Sequence, residues 1–399
     1  MNHTRKVLLF IGLVLLLLLS ACEYPPAAMA DEGSENPLPE PTATFTIAAP
    51  EEAGTQDTPN PQDEEDQEPS QTPTPTFTPE PEVIGPDYQD GYNPLTGMLE
   101  DNPLVLFMKP LMVAISNFPP SARPQFGLSV ASQVWETYIG EGATRFLVIF
   151  YGDYVTQLQG IMQNRLDETF DQLIKPIRSG RVVFEDIKTM YPGALLITAG
   201  ASPEVSQQLS NQQNYFGSNP DDINGAGLGG DDLSNLSGAT GNPVDYASLM
   251  FGPATGGSPA DFLRIIYNVN NHVGWEYDPE SGAYLRYQDI ADGTGDLYPA
   301  TDGLTGEQLA FENVVVMWAQ HNYVKPTLIE IELLYVKDRK GLLFRDGEVY
   351  EILWSSMSGE LKIYDANGNV VPLKPGDTFF EVVSYASTWK PEEMLIRFH

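Results

Sequence analysis

At 399 residues the chain exceeds one typical domain, so two folded units plus unstructured material are expected. A net charge of -34 sets up a field that repels polyanions over long range, which argues against nucleic acid or an anionic lipid surface as a partner, although a local basic site can survive inside it. One cysteine, Cys22, and few histidines leave the folded part without disulfides, thiolate clusters or a cysteine nucleophile, and supply a His-rich metal site or a Ser-His-Asp arrangement poorly.

The chain begins with a positive segment, Arg5-Lys6, then the apolar run Val7 to Leu19, then Ser20-Ala21-Cys22. The run is short for a membrane span of roughly 20 residues and fits a secretory signal, 1–22. Leu19-Ser20-Ala21-Cys22 has the form of a bacterial lipobox, in which the Cys22 sulfur takes a diacylglycerol and small neighbours admit the peptidase. Residues 23–90 carry seventeen Asp/Glu and no Lys/Arg, in a Pro- and Thr-rich background. So little apolar surface cannot offset the entropy of ordering, and this segment is predicted to be a disordered acidic tether. Its span lies between about 45 Å as a coil and roughly 200 Å extended.

The folded body is expected from residue 91, opening at Asn93-Pro-Leu-Thr-Gly97. The apolar run Leu104–Ile115 predicts a buried strand, and an amphipathic stretch follows through Val134, Trp135 and Glu136. Glu141-Gly-Ala-Thr-Arg-Phe146 leads into a strand at Phe146–Tyr151. Lys175-Pro-Ile-Arg-Ser-Gly-Arg181 opens a helix over 180–191, followed by strand Ala194–Ala199 and helix Pro203–Leu209. This alternation argues for an α/β layer. The segment Gln213–Ser258 has ten glycines and no base and is expected to be a mobile loop; its Ala226–Ser234 stretch nearly fits one calcium-binding nonapeptide, an architecture that needs several stacked copies.

The C-terminal part is strand-rich. Tyr277 to Tyr287 predicts a hairpin around Glu280-Ser-Gly282, and Leu342–Phe344 with Val349–Trp354 flank an Asp-Gly turn signal at Arg345–Glu348. Leu361–Tyr364 and Val370–Leu373 flank Asp365–Asn369; a calcium loop there would need a differently placed glycine and a Glu in register, so a hairpin turn is expected.

Several of these blocks resemble the YerB-like family of bacterial lipoproteins. The resemblance rests on Ala-Arg-Pro-Gln at 122–125, Glu-Gly-x-Thr-Arg-Phe at 141–146, Pro-Ile-Arg-Ser-Gly-Arg at 176–181 and Ala199–Pro203. Tyr277–Arg286, Phe344–Val349 and Tyr364–Asn369 carry it through the second half, so that it covers about 91–399. It implies an α+β protein with an N-terminal α/β layered domain, 91–270, and a β-rich C-terminal domain, 271–399, and no established reaction. The chain departs from the family pattern in an extra segment at about 153–174, in Thr198 where the family carries a His, and in the reduced stretch Gly241–Tyr246.

Arg123, Arg145, Arg178 and Arg181 fall inside these blocks, at strand ends or a helix start, and are expected to converge on one site. Guanidinium forks beside a helix N-terminus form a ready anion site. The same arginines could instead pair with acids, Arg181 with Glu185 and Arg123 or Arg145 with Glu136 or Glu141. Glu136 and Glu141 could alternatively work as a pair of catalytic carboxylates on a glycan. Trp275, Trp318, Trp354 and Trp389 are expected in the core rather than as sugar platforms. The function expected is a lipid-anchored protein on the extracytoplasmic face of the cell membrane that binds an anionic wall polymer or an envelope protein, with no cofactor, no metal and no nucleic acid; the alternative is a glycan-active enzyme.

Overall fold

The computed structural model describes residues 83–399 apart from 89, 165–170, 218–221, 237, 239–245, 247–248 and 327. The signal, Cys22 and the tether up to residue 82 lie outside the described residues. The fold starts earlier than position 91: Ile84 and Phe251 exchange both backbone hydrogen bonds, and the Tyr88 hydroxyl donates to the Leu249 carbonyl.

The first half supplies β1 (Leu111–Ser116), β2 (Gln133–Gly140) and β3 (Ala143–Phe150), then α1 (Tyr154–Asn164), α2 (Val182–Thr189) and β4 (Leu195–Thr198). It continues with α3 (Pro203–Ser206), β5 (Gln212–Asn214) and α4 (Gly230–Leu236). Next come β6 (Ser258–Pro259), β7 (Phe262–Asn268), β8 (Asn271–Asp278), β9 (Ala283–Gln288), β10 (Tyr298–Pro299) and β11 (Ala310–Phe311). The last part holds β12 (Asn313–Lys325), β13 (Leu328–Glu332), β14 (Arg339–Arg345), β15 (Glu348–Ser355) and β16 (Lys362–Tyr364). The chain closes with β17 (Thr378–Ser384), β18 (Thr388–Lys390) and β19 (Leu395–Arg397). The result is an α+β arrangement dominated by strands.

The strands form two sheets. The larger runs β16-β15-β14-β12-β17-β2-β3-β1-β4-β5, with β13 on β12 and β6 on β15; the smaller runs β10-β9-β8-β7-β19-β18, with β11 on β9. The halves expected to be separate domains, 91–270 and 271–399, therefore share one sheet and belong to one compact unit. The joint is the parallel pairing of β17 with β2, Phe380 opposite Trp135 and Glu381 opposite Glu136. Trp135 stacks on Phe380 across it, ring centroids 4.1 Å apart.

The large sheet is buried on both faces, which is why its strands are continuous apolar runs rather than alternating ones. Side chains still alternate between faces. Phe146, Val148 and Phe150 of β3 enter one core, shared with Ile265, Trp275 and Tyr284 of the small sheet and with Tyr154 and Leu158 of α1. Leu147 and Ile149 enter the opposite core, with Val183, Phe184 and Ile187 of α2.

Local chemistry explains where elements begin and end. The run Leu104–Ile115 is a strand only from Leu111: Pro103 opens a 3-10 turn capped by the Asn102 side chain, and Pro110 has no N–H to give a ladder. The predicted 180–191 helix is Val182–Thr189, and the Pro203–Leu209 helix is a single turn capped by Ser202. The β14–β15 connection places Asp346 and Gly347 at φ 54° and 72°, the two positive values of a type I′ hairpin. Asp365 accepts from the Asn367 and Asn369 N–H groups, so the suspected calcium loop is a turn held by its own aspartate. The Gln213–Ser258 segment is more than a loop: Leu228 bridges to Ile174, and Leu233 and Leu236 of α4 are buried.

Candidate functional site

The segment before α2 is threaded against the ends of two parallel strands. Ser116 N–H donates to the Pro176 carbonyl, Arg178 N–H to Ala114 and Ala199 N–H to Arg178, while Gly180 N–H donates to Gly200. This strip brings Arg178, Ser179 and Arg181 to the C-terminal ends of β1 and β4 and the start of α2, the place where open α/β sheets put their ligand crevice. Arg145, third residue after the β2–β3 turn pair, reaches the same strip, because β3 lies beside β1 and Arg145 sits opposite Ser116.

Three of the four sequence-predicted arginines thus meet. Arg145 Nη1 donates to the Ser179 carbonyl and to Ser179 Oγ, both at 3.0 Å, and Arg181 Nη1 donates to the same Oγ at 2.9 Å. Arg178 Nη1 donates to the Ile223 carbonyl at 2.7 Å. Among the described residues no carboxylate oxygen lies within 4.0 Å of any of the three. Each also carries a buried Nε without a hydrogen-bond partner. Burial pushes the Arg145 guanidinium well below the usual arginine range, and the like charges of Arg181 and Arg178 push the same way. Arg181 and Arg178 are lowered by burial too, Arg181 additionally by Arg178. The expected Arg181–Glu185 pair does not form: Glu185 takes Lys188 at 2.9 Å and caps Ser210 instead.

Arg123 does not join them. Its Nε donates to the Asn117 carbonyl and side chain and its Nη1 to the Asp289 carbonyl, tying the loop after β1 to the small sheet. A four-arginine site is therefore corrected to a three-arginine one. The physical reason is that its guanidinium is already engaged by Asn117 and the Asp289 carbonyl, and packs 4.7 Å over the Phe118 ring.

The paired-carboxylate expectation fails on geometry. Glu136 is fully buried, 2.8 Å from Arg286 Nη2, with Asn117 donating to its other oxygen at 3.2 Å. Glu141 is an exposed turn residue at φ 54°, forming with Gly142 (φ 80°) the two-residue β2–β3 hairpin loop. One lies in the core and the other at the surface, so no open cleft joins them.

Sequence reasoning missed the partner of Glu136. Arg286 of β9 bridges Glu136 of β2 and Glu381 of β17, the latter at 3.2 Å, and all three are at most 1 % exposed. Trp275 Nε1 and the Tyr267 hydroxyl also donate to Glu381, at 3.0 and 2.9 Å, and the guanidinium lies over Phe146, Trp275 and Phe379. Two carboxylates on one arginine leave an excess negative charge, and burial together with Glu136 pushes the Glu381 carboxyl up towards about 8. A lone charged residue inside the apolar run Thr378–Ser384 was the available signal. Trp275, Trp318 and Trp354 are core residues, and Trp389 is partly buried.

These features define a strand-dominated α+β protein whose two halves close one sheet, with an arginine cluster at one end and a buried ionic triad between the sheets. The chain belongs to the family described as protein of unknown function (DUF3048): the N-terminal domain of that family matches residues 95–227 and its C-terminal domain residues 263–380, together more than half of the chain. The chain is 28% identical over 314 residues to the Bacillus subtilis (strain 168) protein named "Putative lipoprotein YerB", covering 73% of this chain and 85% of that one. The crystal structure of YerB from Bacillus subtilis superposes with a TM-score of 0.56 at 26% identity, over 73% of this chain and 96% of that chain. The arginine strip and the hairpin turns at 141–142, 280–282 and 346–347 lie in the matched regions. No helix among the described residues is long and apolar enough to cross a membrane.

Proposed function

We propose that the protein is a membrane-anchored lipoprotein of the extracytoplasmic face that binds an anionic wall-associated ligand. The observation that carries the binding reading is the cluster of Arg145, Arg178 and Arg181: three cations in a strongly acidic chain, without a carboxylate among the described residues to neutralise them. Buried arginines ordinarily exist in pairs, so a cluster without an acid partner among the described residues suits an anion from outside. The lipobox ending at Cys22 and the name of the Bacillus relative support the anchor. A scaffold role towards an envelope protein would use the same cations against an acidic surface.

Isolated cell walls provide the test. The Arg178 side chain is half-buried and makes one hydrogen bond among the described residues, to a carbonyl, so Arg178→Ala should melt within a few degrees of the parent. Its loss of a charge-assisted contact should weaken sedimentation with walls about tenfold or more. Walls stripped of anionic polymers by acid should retain neither protein. Equal binding by parent and variant, or undiminished binding to stripped walls, would remove the arginine site from the reading.

The anchor is tested separately. Cys22→Ser removes the acyl acceptor, and the chain should leave the detergent-soluble membrane fraction or accumulate as precursor, because stable anchoring takes more than one acyl chain. A processed Cys22→Ser protein that still partitions with membranes would end the lipoprotein reading.

A further inference from the structure

We propose that the arginine cluster selects a phosphomonoester and that Phe216 receives the organic part of that ligand; the inference rests on the anion-binding reading above. Charge decides the first part. Three guanidiniums gather with no carboxylate within reach among the described residues. A carboxylate brings one negative charge, and a phosphodiester brings one. A phosphomonoester brings close to two, spread over three terminal oxygens. Guanidinium forks also fit phosphate oxygens bidentately.

Ser179 adds a fourth donor. Its Oγ already accepts from Arg145 and from Arg181, which uses both lone pairs of the hydroxyl. The remaining function of that hydroxyl is to donate, and a phosphoryl oxygen beside the two arginines is the acceptor the arrangement calls for. α2 begins immediately after Arg181 and its first N–H groups add a positive end to the same place. The deeply buried Arg145, 2 % exposed and with an orphan Nε, is the independent sign that this helix start is a built site rather than a bare terminus.

Phe216 decides the second part. It is 71 % exposed, and its ring lies over Gly200, where a Cβ would come within 3.2 Å of Cε1. Gly200 is the residue whose carbonyl takes the Gly180 N–H, between Ser179 and Arg181. Asn214 holds this corner, accepting from the Gly200 N–H and from Thr198 Oγ1. An uncovered aromatic face thus flanks the phosphate donors, as suits a phosphate carried on a ring with an apolar face.

Calorimetry on the full chain in detergent, with glucose 1-phosphate, inorganic phosphate and glucuronate as probes, tests both parts. Glucose 1-phosphate should bind about tenfold or more tightly than glucuronate. Phe216→Ala should weaken glucose 1-phosphate several-fold and leave inorganic phosphate unchanged. Arg178→Ala should weaken both phosphates. Glucuronate binding as well as glucose 1-phosphate would overturn the phosphomonoester while sparing the anion site. No binding of any probe would overturn it as well, and Arg178-dependent binding to walls would then show whether the broader reading survives. An unchanged preference for glucose 1-phosphate in Phe216→Ala would remove Phe216 from the site.

Discussion

Replacing Arg286 by alanine is expected to destabilise the protein by about 3–5 kcal/mol, the cost of leaving a buried charge without its partner. The position is severe because Arg286 serves two acids, not one. Glu136 and Glu381 are directly opposed on neighbouring parallel strands, and the guanidinium from the small sheet bridges them. Its removal also strips the rings of Phe146, Trp275 and Phe379 of a cation and opens a void among them. Arg286→Lys should recover little, since an ammonium cannot present a planar fork to both carboxylates. Removing the charges together, as Arg286→Met with Glu136→Gln and Glu381→Gln, should recover most of the loss, because a fully replaced ionic group often costs little. Urea unfolding followed by tryptophan fluorescence measures this. A midpoint for Arg286→Ala equal to the parent's would mean that the triad is not formed.

Local features were legible in the sequence, and long-range ones were not. The Asp346-Gly347 and Glu280–Gly282 turns announced their hairpins through residues that tolerate positive φ or cap a turn. The strand after Thr144 and the helix after Arg181 followed from apolar pattern. The arginine cluster was half-visible, since Arg178 and Arg181 share one block while Arg145 joins them only through the β1–β3 register. Arg123 was grouped with them because its block, like theirs, was placed at a predicted strand end, yet its partners, Asn117 and Asp289, are set by tertiary packing. The joining of the halves was invisible because β17 inserts beside β2 from the far end of the chain, and no periodicity records such a pairing. The same pairing hid Glu381 from Glu136. An acid inside Thr378–Ser384 nevertheless demanded a buried cation, and the apolar run holding it was its own warning.

Glu381→Gln should stabilise the protein above neutral pH and flatten part of its pH dependence. The folded-state carboxyl is raised from its ordinary 4.5 towards about 8 by burial first and by Glu136 second, with Arg286, Trp275 and Tyr267 acting the other way. A raised acid means that the folded state holds a proton the unfolded chain has released. The penalty is therefore absent below about 4.5, grows as pH climbs from there, and is complete once pH passes the folded value near 8. The parent should lose stability over that window through this group, on the order of a few kcal/mol in all. Glutamine removes the titration and keeps the geometry: its carbonyl oxygen can accept from Trp275 and Arg286, and its amide can donate to the Tyr267 oxygen. Arg286 then faces Glu136 alone, a neutral pair. Other groups titrate in the same range, Asp186 among them with its carboxyl raised to about 6, so the informative quantity is the variant-minus-parent difference. That difference should be small near pH 4.5 and rise steadily to pH 8 in denaturant melts taken at half-unit steps. A difference that stays constant across the window would show that Glu381 is ionised throughout, and a difference that falls with pH would mean that the triad favours the charged form.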